Sequence, residues 1–198
     1  MRKLILSMKI SIDGFATGLN DDMSWLQKDG DQHWNDLFKM LENVDLFIMG
    51  GGMWNGYKDY WKSALKEKGF SKNEIKYAKL AERTQHLIFS STLKNAGWEN
   101  AAIESGDVKQ VIKLIKKQPG KDIQIVGGPE FASSIIDSGL IDEYRLMINP
   151  VILGKGKSIF ENLQFQHHLK RTKIKAFDNG VTVITYTQLD TKKIKPKL

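Results

Sequence analysis

Apolar and polar residues along the first two thirds of the chain follow a pattern typical of strands that alternate with helices. Short continuous apolar runs bordered by turn residues predict buried strands. These runs occupy residues 4–12, 44–49, 86–89 and 123–126. Between them apolar residues recur at helical spacing, as Val108, Ile112 and Ile115 do. The alternation predicts a largely parallel sheet with helices on both faces.

Local signals mark where several helices begin or end. Ser71 and Glu74 have the spacing of a capping box, and Asp107 precedes another helix as an N-cap. Asp31 is a third candidate N-cap, and Gly139 is placed to end a helix. These signals support the helices that the periodicity predicts.

The last third of the chain has a different pattern. After a predicted strand at 143–152, apolar and polar residues alternate at 169–177 and again at 181–189. The turn between these two segments contains Asn179-Gly180, a strong hairpin signal. We therefore expect an antiparallel hairpin at one edge of the sheet. Because no linker or repeat interrupts the pattern, we predict one domain at 1–190 and a basic tail at 191–198.

Composition narrows the function classes. Hydrophobic residues make up 41% of the chain and charged residues 27%, which is typical of a soluble globular protein. The chain has no cysteine, and none of its four histidines pairs with another at a helical ligand spacing, so we expect no metal site. The apolar run at the N-terminus is too short for a signal peptide, and we expect a cytoplasmic protein that does not bind a membrane.

The net charge of +7 raises the possibility of nucleic-acid binding. The lysines are, however, spread along the chain, and four of them lie in the last seven residues. We therefore favour a solvated basic surface without a nucleic-acid partner. Such a surface would also attract an anionic cofactor.

Small residues directly follow three of the predicted strands. These clusters are Gly50-Gly51-Gly52, Ser90-Ser91-Thr92 and Gly127-Gly128-Pro129. The carboxyl ends of parallel strands are where α/β sheets bind ligands, and glycine lets a phosphate approach the backbone. Each cluster by itself is compatible with an ordinary turn, but the three together favour a nucleotide site.

Several motifs resemble those of a known superfamily. The opening Ser11-Ile12-Asp13-Gly14-Phe15-Ala16 resembles the S-x-D-G start of dihydrofolate-reductase-like proteins. Met49-Gly50 followed by Trp54, and Val126 to Phe131, resemble later motifs of the same superfamily. The stretch from Gly139 to Gly156 is similar to a signature of the reductase domain in the bifunctional riboflavin-biosynthesis deaminase-reductase. The resemblance extends from Arg2 to Leu189 and is to stand-alone members of that family.

The resemblance implies a three-layer α/β fold with NADPH lying across the strand ends. The cofactor-binding residues that it implies are Met8, Ala16, Gly50, Gly51, Gly52, Met53, Ser90, Ser91, Gly127, Gly128, Pro129, Glu130 and Phe131. In the family the Gly-Gly bond is often cis. Many members carry an Arg after Met-Gly that binds the 2′-phosphate, whereas this chain has Gly51 there. The candidate replacements for that Arg are Arg83, Lys94 or a lysine from elsewhere in the chain.

The substrate side of the site differs from that of dihydrofolate reductases. Their first helix carries an acid, and the matching position here is Trp34, which forms either a substrate wall or part of the core. The nearby acids Asp13, Asp31 and Asp36 are the candidate proton donors. Together with Trp34, we predict Trp25 and Phe38 as substrate-binding residues.

The sequence thus leads to two functional hypotheses. The first is an NADPH-dependent reductase, related to 5-amino-6-(5-phosphoribosylamino)uracil reductase and to dihydrofolate reductase. It would act on a small heterocycle other than dihydrofolate. The alternative is a nucleotide-binding or regulatory module of the same fold without turnover. In either case we expect a homodimer.

Overall fold

An eight-stranded sheet forms the centre of the molecule. The computed structural model describes residues 1–189, so the predicted basic tail lies outside the described residues. The strands are β1 Leu4–Ile10, β2 Phe15–Thr17, β3 Val44–Gly50, β4 Gln85–Phe89, β5 Ala101–Glu104, β6 Asp122–Gly127, β7 Glu143–Ile148, β8 Lys157–Ser158, β9 Leu169–Ala176 and β10 Thr182–Gln188. The helices are α1 Asp31–Leu41, α2 Gly51–Ala64, α3 Lys72–Arg83, α4 Val108–Lys117 and α5 Pro129–Asp137, and a short 3-10 helix covers Leu19–Asp21.

The strands lie in the order β5-β4-β3-β6-β1-β7-β10-β9. The neighbours from β5 to β7 are all parallel, whereas β10 runs antiparallel to both β7 and β9. The hairpin of β9 and β10 therefore forms one edge of a mostly parallel sheet. Both features were predicted from the sequence, and the structure confirms them.

Helices cover both faces of the sheet. Leu4 and Leu6 of β1 pack with the residues that α4 and α5 bury, whereas Ile5 between them packs with the residues that α1, α2 and α3 bury. Successive side chains of a strand point to opposite faces, so a strand buried on both faces is apolar throughout. The continuous apolar run in β1 follows from this double burial, and the three-layer prediction is confirmed.

Two of the three predicted helix N-caps are present. Ser71 Oγ accepts a hydrogen bond from the backbone N–H of Glu74, and the Glu74 carboxylate accepts one from the backbone N–H of Ser71. Asp107 accepts one from the N–H of Gln110. The third prediction is wrong by one residue. Gly30 is the N-cap of α1, and Asp31 is the first residue of the helix.

The segment after β1 contains structure that the sequence did not predict. β2 follows β1 after a short turn and pairs with β8 in a separate two-stranded ribbon. The pairing brings the loop after β1 against the segment after β7.

No helix among residues 1–189 is long and apolar enough to cross a membrane.

Candidate active site

A cavity, which we call the main cavity because it lies at the ligand-binding edge of the sheet, opens where two central strands separate. β1 pairs with β6 only as far as Leu6, whose partner on β6 is Ile125. On its other side β1 stays paired with β7 as far as Ile10. The carboxyl end of the sheet is therefore open between β1 and β6, and a cavity of about 340 Å³ lies there. This is the edge at which open α/β sheets bind their ligands.

Aromatic side chains dominate one wall of this cavity. Trp34 and Leu37 come from α1, Tyr57 and Trp61 from α2, and Tyr77 from α3. Indole and phenol rings offer large flat surfaces at a small cost in side-chain entropy. The wall is therefore suited to a planar ring.

The two tyrosines of the wall belong to a buried hydrogen-bonded chain. The hydroxyl of Tyr57 lies 3.4 Å from that of Tyr77 and 3.3 Å from Nε2 of His86. Burial raises the pKa of Tyr77 to about 12 and lowers that of His86 to about 4. At neutral pH the phenol therefore stays protonated and the imidazole stays uncharged.

The polar groups of the cavity lie on β1, on β6 and on the loop before α1. Lys9 Nζ donates a hydrogen bond to Asp29 Oδ2 at 2.5 Å. Ser7 and Gln124 also line the cavity, and each is almost fully buried. Gln124 Oε1 has no hydrogen-bond partner among the described residues. A buried acceptor left unpaired costs about 1–3 kcal/mol, so this oxygen favours a ligand that carries a donor.

A second cavity of about 320 Å³ continues from the first along the strand ends. The residues that line both cavities are Thr17, Met23, Met53, Gly128 and Pro129. Those that line only the second are Asp21, Gly50, Gly52, Glu130, Phe131 and Lys157. Because five residues are shared, the two cavities form a single groove, which we call the strand-end groove.

Two helices begin at the second cavity. Gly50 is the N-cap of α2 and Gly128 that of α5, and neither glycine offers a side chain to cap the first N–H groups. Gly128 has φ +85°, which glycine adopts without strain. A Cβ atom on Gly52 would meet nothing within 4 Å, so a ligand has room to approach the backbone there. Helix N-termini of this kind stabilise phosphate groups.

Comparison with known sequences identifies the family. The sequence profile of the RibD C-terminal domain matches residues 2–183. The chain belongs to the RibD C-terminal domain family. A curated relative in Bacillus subtilis (strain 168), the uncharacterized protein YyaP, is 31% identical over 185 residues, which cover 93% of this chain and 94% of YyaP.

Solved structures share the fold. The Thermotoga maritima diaminohydroxyphosphoribosylaminopyrimidine deaminase/5-amino-6-(5-phosphoribosylamino)uracil reductase is 14% identical, with a TM-score of 0.66 over 95% of this chain and 57% of that one. Dihydrofolate reductase from Enterococcus faecalis, solved with NADP(H), is 11% identical, with a TM-score of 0.59 over 95% of this chain and 97% of that one. The resemblance to the dihydrofolate-reductase-like superfamily is thus confirmed for the fold.

Most residues predicted to bind the cofactor line the strand-end groove of this RibD C-terminal domain. They are Met8, Ala16, Gly50, Gly52, Met53, Gly127, Gly128, Pro129, Glu130 and Phe131. The expectation of a cis bond is not met, since the peptide bond between Gly127 and Gly128 is trans. A Cβ atom on Gly127 would lie 2.9 Å from Sδ of Met53, so only glycine fits there without movement of Met53.

Three other predicted cofactor residues, Gly51, Ser90 and Ser91, do not line either cavity. The space beside Gly51 is filled by Ser90, whose Oγ accepts a hydrogen bond from the backbone N–H of Leu93 at 3.0 Å. Ser91 is exposed to solvent. These residues lie beside the groove in the RibD C-terminal domain.

The two cations considered as replacements for the missing Arg lie at opposite ends of β4. Arg83 ends α3 just before β4 begins, so it lies at the amino end of the strand, away from the groove. Lys94 follows Ser90-Ser91-Thr92 after the carboxyl end of β4, and it is exposed. Arg83 is therefore not placed to bind a cofactor phosphate in the groove, whereas Lys94 remains a candidate.

Of the predicted substrate-binding residues, only Trp34 lines the main cavity. Phe38, one turn later on α1, is 7% exposed and stacks on Trp34 with ring centroids 5.7 Å apart, so it belongs to the core. Trp25 lies outside the cavity, and its Nε1 donates to a backbone carbonyl of its own loop. Its neighbours Met23 and Leu26 line the cavity instead.

Asp13, the first candidate acid, holds two loops together. Its carboxylate accepts hydrogen bonds from Ser11 Oγ at 2.6 Å and from the backbone N–H groups of Leu153 and Gly154. The bond from Ser11, and then those from the two N–H groups, lower the pKa of Asp13 to about 2. The S-x-D-G motif thus joins the turn after β1 to the segment after β7, and its acid is ionised at neutral pH.

The other two candidate acids also lie away from the cavity. Asp31 is exposed and accepts a hydrogen bond from Asn73 Nδ2 at 2.7 Å. Asp36 forms a buried ion pair with Arg145, and Lys173 lies 3.5 Å away. Burial opposes the ionisation of Asp36, but the positive charges of Arg145 and the neighbouring lysines lower its pKa below the ordinary value.

The polar groups that line the cavity are largely hidden from sequence patterns. Lys9 had a detectable signal, because a charged residue inside an otherwise buried strand is uncommon. Asp29 and Gln124 had no distinguishing local pattern. Their position depends on the path of the loop before α1 and on the separation of β1 from β6.

Proposed function

We propose that this protein is an NADPH-dependent reductase of a small heterocyclic substrate other than dihydrofolate. The observation that carries the proposal is the strand-end groove. It joins the N-termini of α2 and α5 to an aromatic cavity between β1 and β6. A dinucleotide has a matching shape, with a pyrophosphate at one end of such a groove and a flat nicotinamide at the other.

The residues present fit a dinucleotide cofactor. The uncapped N–H groups that follow Gly50 and Gly128 suit the pyrophosphate. Met8 and Ala16 line the main cavity where β1 and β6 separate, at the position expected for the nicotinamide. Thr17 lines both cavities, and its buried Oγ1 has no partner among the described residues, so a ligand can satisfy it.

The chemistry of hydride transfer would come from NADPH, and the protein would bind, orient and desolvate the reactants. The aromatic wall of Trp34, Tyr57 and Tyr77 would hold a planar substrate and exclude water. The relatives support a reductase, since the Thermotoga maritima protein is named as one and the Enterococcus faecalis enzyme was solved with NADP(H).

We also propose a homodimer in the cytoplasm. β9 is an edge strand, and Ile174 on it is 55% exposed. Unpaired edges with exposed apolar residues favour association with a second chain. Light scattering on the purified chain would report a mass near twice that of one chain, and a monomer at working concentration would contradict this.

The test of the reductase has two parts. Calorimetry measures the binding of NADPH and of NADH, and absorbance then follows NADPH oxidation with a panel of pyrimidines, pteridines and dihydrofolate. Binding followed by oxidation with one or more heterocycles supports the proposal. Tight NADPH binding without turnover of any panel member would favour the alternative of a nucleotide-binding module. If neither NADPH nor NADH binds, both the reductase and the nucleotide-binding module are overturned.

A further inference from the structure

A charged pair lies inside the main cavity. The Lys9 Nζ and Asp29 Oδ2 atoms are 2.5 Å apart, and both side chains line the cavity. Lys9 is 29% exposed and Asp29 25%, so the pair is reachable from the cavity but shielded from most of the solvent. A partly desolvated ion pair binds a ligand more strongly than one on an open surface.

The loop that carries Asp29 is fastened at the two preceding residues. The backbone N–H of Gln27 donates to Oδ1 of Asn149, a residue that is 2% exposed. The carbonyl of Lys28 accepts a hydrogen bond from Asn179 Nδ2 in the turn of the β9–β10 hairpin. Asp29 therefore has a position fixed by the folded sheet, as a recognition residue requires.

Lys9 is held in position by the central sheet. It lies on β1 next to Met8, and its backbone is in register with Met147 on β7. Ser7 precedes it by two residues and so shares its face of the sheet. The cavity is thus lined by Lys9, Asp29 and Ser7, and by the Gln124 oxygen on β6, which has no hydrogen-bond partner among residues 1–189.

The chemistry of the pair determines which ring edge it can bind. An ammonium group only donates hydrogen bonds, and a carboxylate only accepts them. A ring edge with a carbonyl next to an N–H matches both, because the carbonyl accepts from Lys9 and the N–H donates to Asp29. A 2,4-diamino ring that is protonated at N1 presents adjacent N–H donors to a carboxylate and carries a positive charge, so the charge of Lys9 opposes it.

We propose that Lys9 and Asp29 determine substrate specificity by selecting planar heterocycles with a cyclic amide edge and rejecting cationic diamino heterocycles. The inference rests on the proposed function, since it assigns the main cavity to the substrate. Gln124 supports it independently, because its buried oxygen lines the same cavity and needs a donor such as a second ring N–H.

Three small probes test the selection, with and without saturating NADPH. Lumazine has the cyclic amide edges, and 1,3-dimethyllumazine keeps the carbonyls but lacks the N–H groups. The third probe is 2,4-diaminopteridine, measured at a pH at which its ring is protonated, so that it presents adjacent donors and a positive charge. We expect the affinity for lumazine to be higher than that for either of the other two probes by about tenfold or more. Calorimetry or ligand fluorescence measures these affinities.

The decisive variant is Lys9→Met, which leaves Asp29 as a free carboxylate. Lumazine affinity should fall about tenfold while 2,4-diaminopteridine affinity rises about tenfold, so the preference reverses. Asp29→Asn should weaken the binding of lumazine without any gain in affinity for 2,4-diaminopteridine. Lys3→Met is the matched control, because Lys3 directly precedes the same strand but is exposed and lies outside the cavity.

The outcomes separate this inference from the proposed function. An unchanged ratio of lumazine to 2,4-diaminopteridine in Lys9→Met overturns the inference, as does a failure of all three probes to bind the wild-type chain. Equal binding of lumazine and its dimethyl derivative also overturns it. A lack of NADPH binding instead contradicts the proposed reductase, and the probe ratios remain measurable without the cofactor.

Discussion

A Cβ atom on Gly51 would lie 2.7 Å from both Cβ and Oγ of Ser90, so the two positions cannot both carry side chains without movement. Ser90 is held in place because its Oγ accepts hydrogen bonds from the backbone N–H groups of Thr92 and Leu93. At the position where the resemblance implies an Arg in many family members, this chain thus has Gly51 in contact with a fixed Ser90. We infer that the 2′-phosphate of NADPH is held less firmly here than in those members.

The double variant Gly51→Arg/Ser90→Gly should therefore increase the preference for NADPH over NADH. With Ser90 reduced to glycine, an Arg has room, and a guanidinium–phosphate contact should raise the preference about tenfold or more. The measurement is the ratio of the two dissociation constants by calorimetry. Gly51→Arg alone should lower the melting temperature because of the clash, and Ser90→Gly alone is the control. A double variant with an unchanged ratio would show that the adenosine end lies elsewhere.

Gly128→Val tests the pyrophosphate position. Gly128 has φ +85° at the start of α5, so valine strains the backbone and also fills the space that a phosphate needs. NADPH affinity should fall about tenfold or more. Gly69→Val is the matched control, because Gly69 has φ +80°, has open space around it and does not line the groove. Both variants should lose stability, but only Gly128→Val should lose cofactor binding, and equal NADPH affinities would refute the placement.

Trp34→Ala should weaken substrate binding without a comparable loss of NADPH binding. Trp34 lines the main cavity, and stacking of a heterocycle on an aromatic ring contributes about 1–3 kcal/mol. The KM for an accepted heterocycle should therefore rise about tenfold. Trp25→Ala is the control, because it removes an indole that lies outside the cavity, and it should leave KM unchanged. Equal effects of the two substitutions would argue that Trp34 only packs in the core.

Dihydrofolate should be a poor substrate. The resemblance places Trp34 at the position of the acid in dihydrofolate reductases, and an indole in the main cavity cannot accept the hydrogen bonds that a carboxylate accepts from a pterin. A pterin therefore loses a charge-assisted hydrogen bond that contributes about 1.5–3 kcal/mol. Methotrexate-like ligands should bind weakly for the same reason. Efficient NADPH oxidation with dihydrofolate would show that an acid in the cavity is free to bind the pterin.

Acid should destabilise the fold through His86. Burial among aromatic residues lowers its pKa from 6.5 to about 4, so as pH falls from 6.5 to 4 the unfolded chain takes up a proton that the folded protein excludes. The free energy of unfolding should decrease over this range by up to about 3 kcal/mol. Asp13, with a pKa of about 2, contributes only at lower pH.

Urea unfolding at a series of pH values measures this contribution. His86→Phe keeps an aromatic ring between its neighbours and should flatten the decrease between pH 6.5 and 4. His168→Phe is the control, because His168 is exposed and its replacement should leave the slope as it is. An equally steep decrease in His86→Phe would assign the acid sensitivity to other groups.

Local patterns in the sequence were sufficient for the mostly parallel sheet and its C-terminal hairpin, but not for the ribbon of β2 and β8. The apolar run of β1, the Asn179-Gly180 turn and the Ser71 cap each reflect interactions within a few residues, and each leads to the observed element. The glycine clusters were also readable, because the carboxyl ends of parallel strands necessarily meet at one edge of the sheet. Met8 and the residues around Gly128 thus reach the strand-end groove as expected.

Tertiary structure alone decided which acid faces the main cavity. Asp13, Asp31 and Asp36 were plausible from their proximity in sequence, yet each is used by neighbours that the sequence pattern does not reveal, such as Leu153 for Asp13 and Arg145 for Asp36. Asp29 lies in the cavity because Asn149 and Asn179, more than a hundred residues away, fasten its loop. The direction in which a loop side chain points depends on such distant contacts, and no local periodicity encodes them.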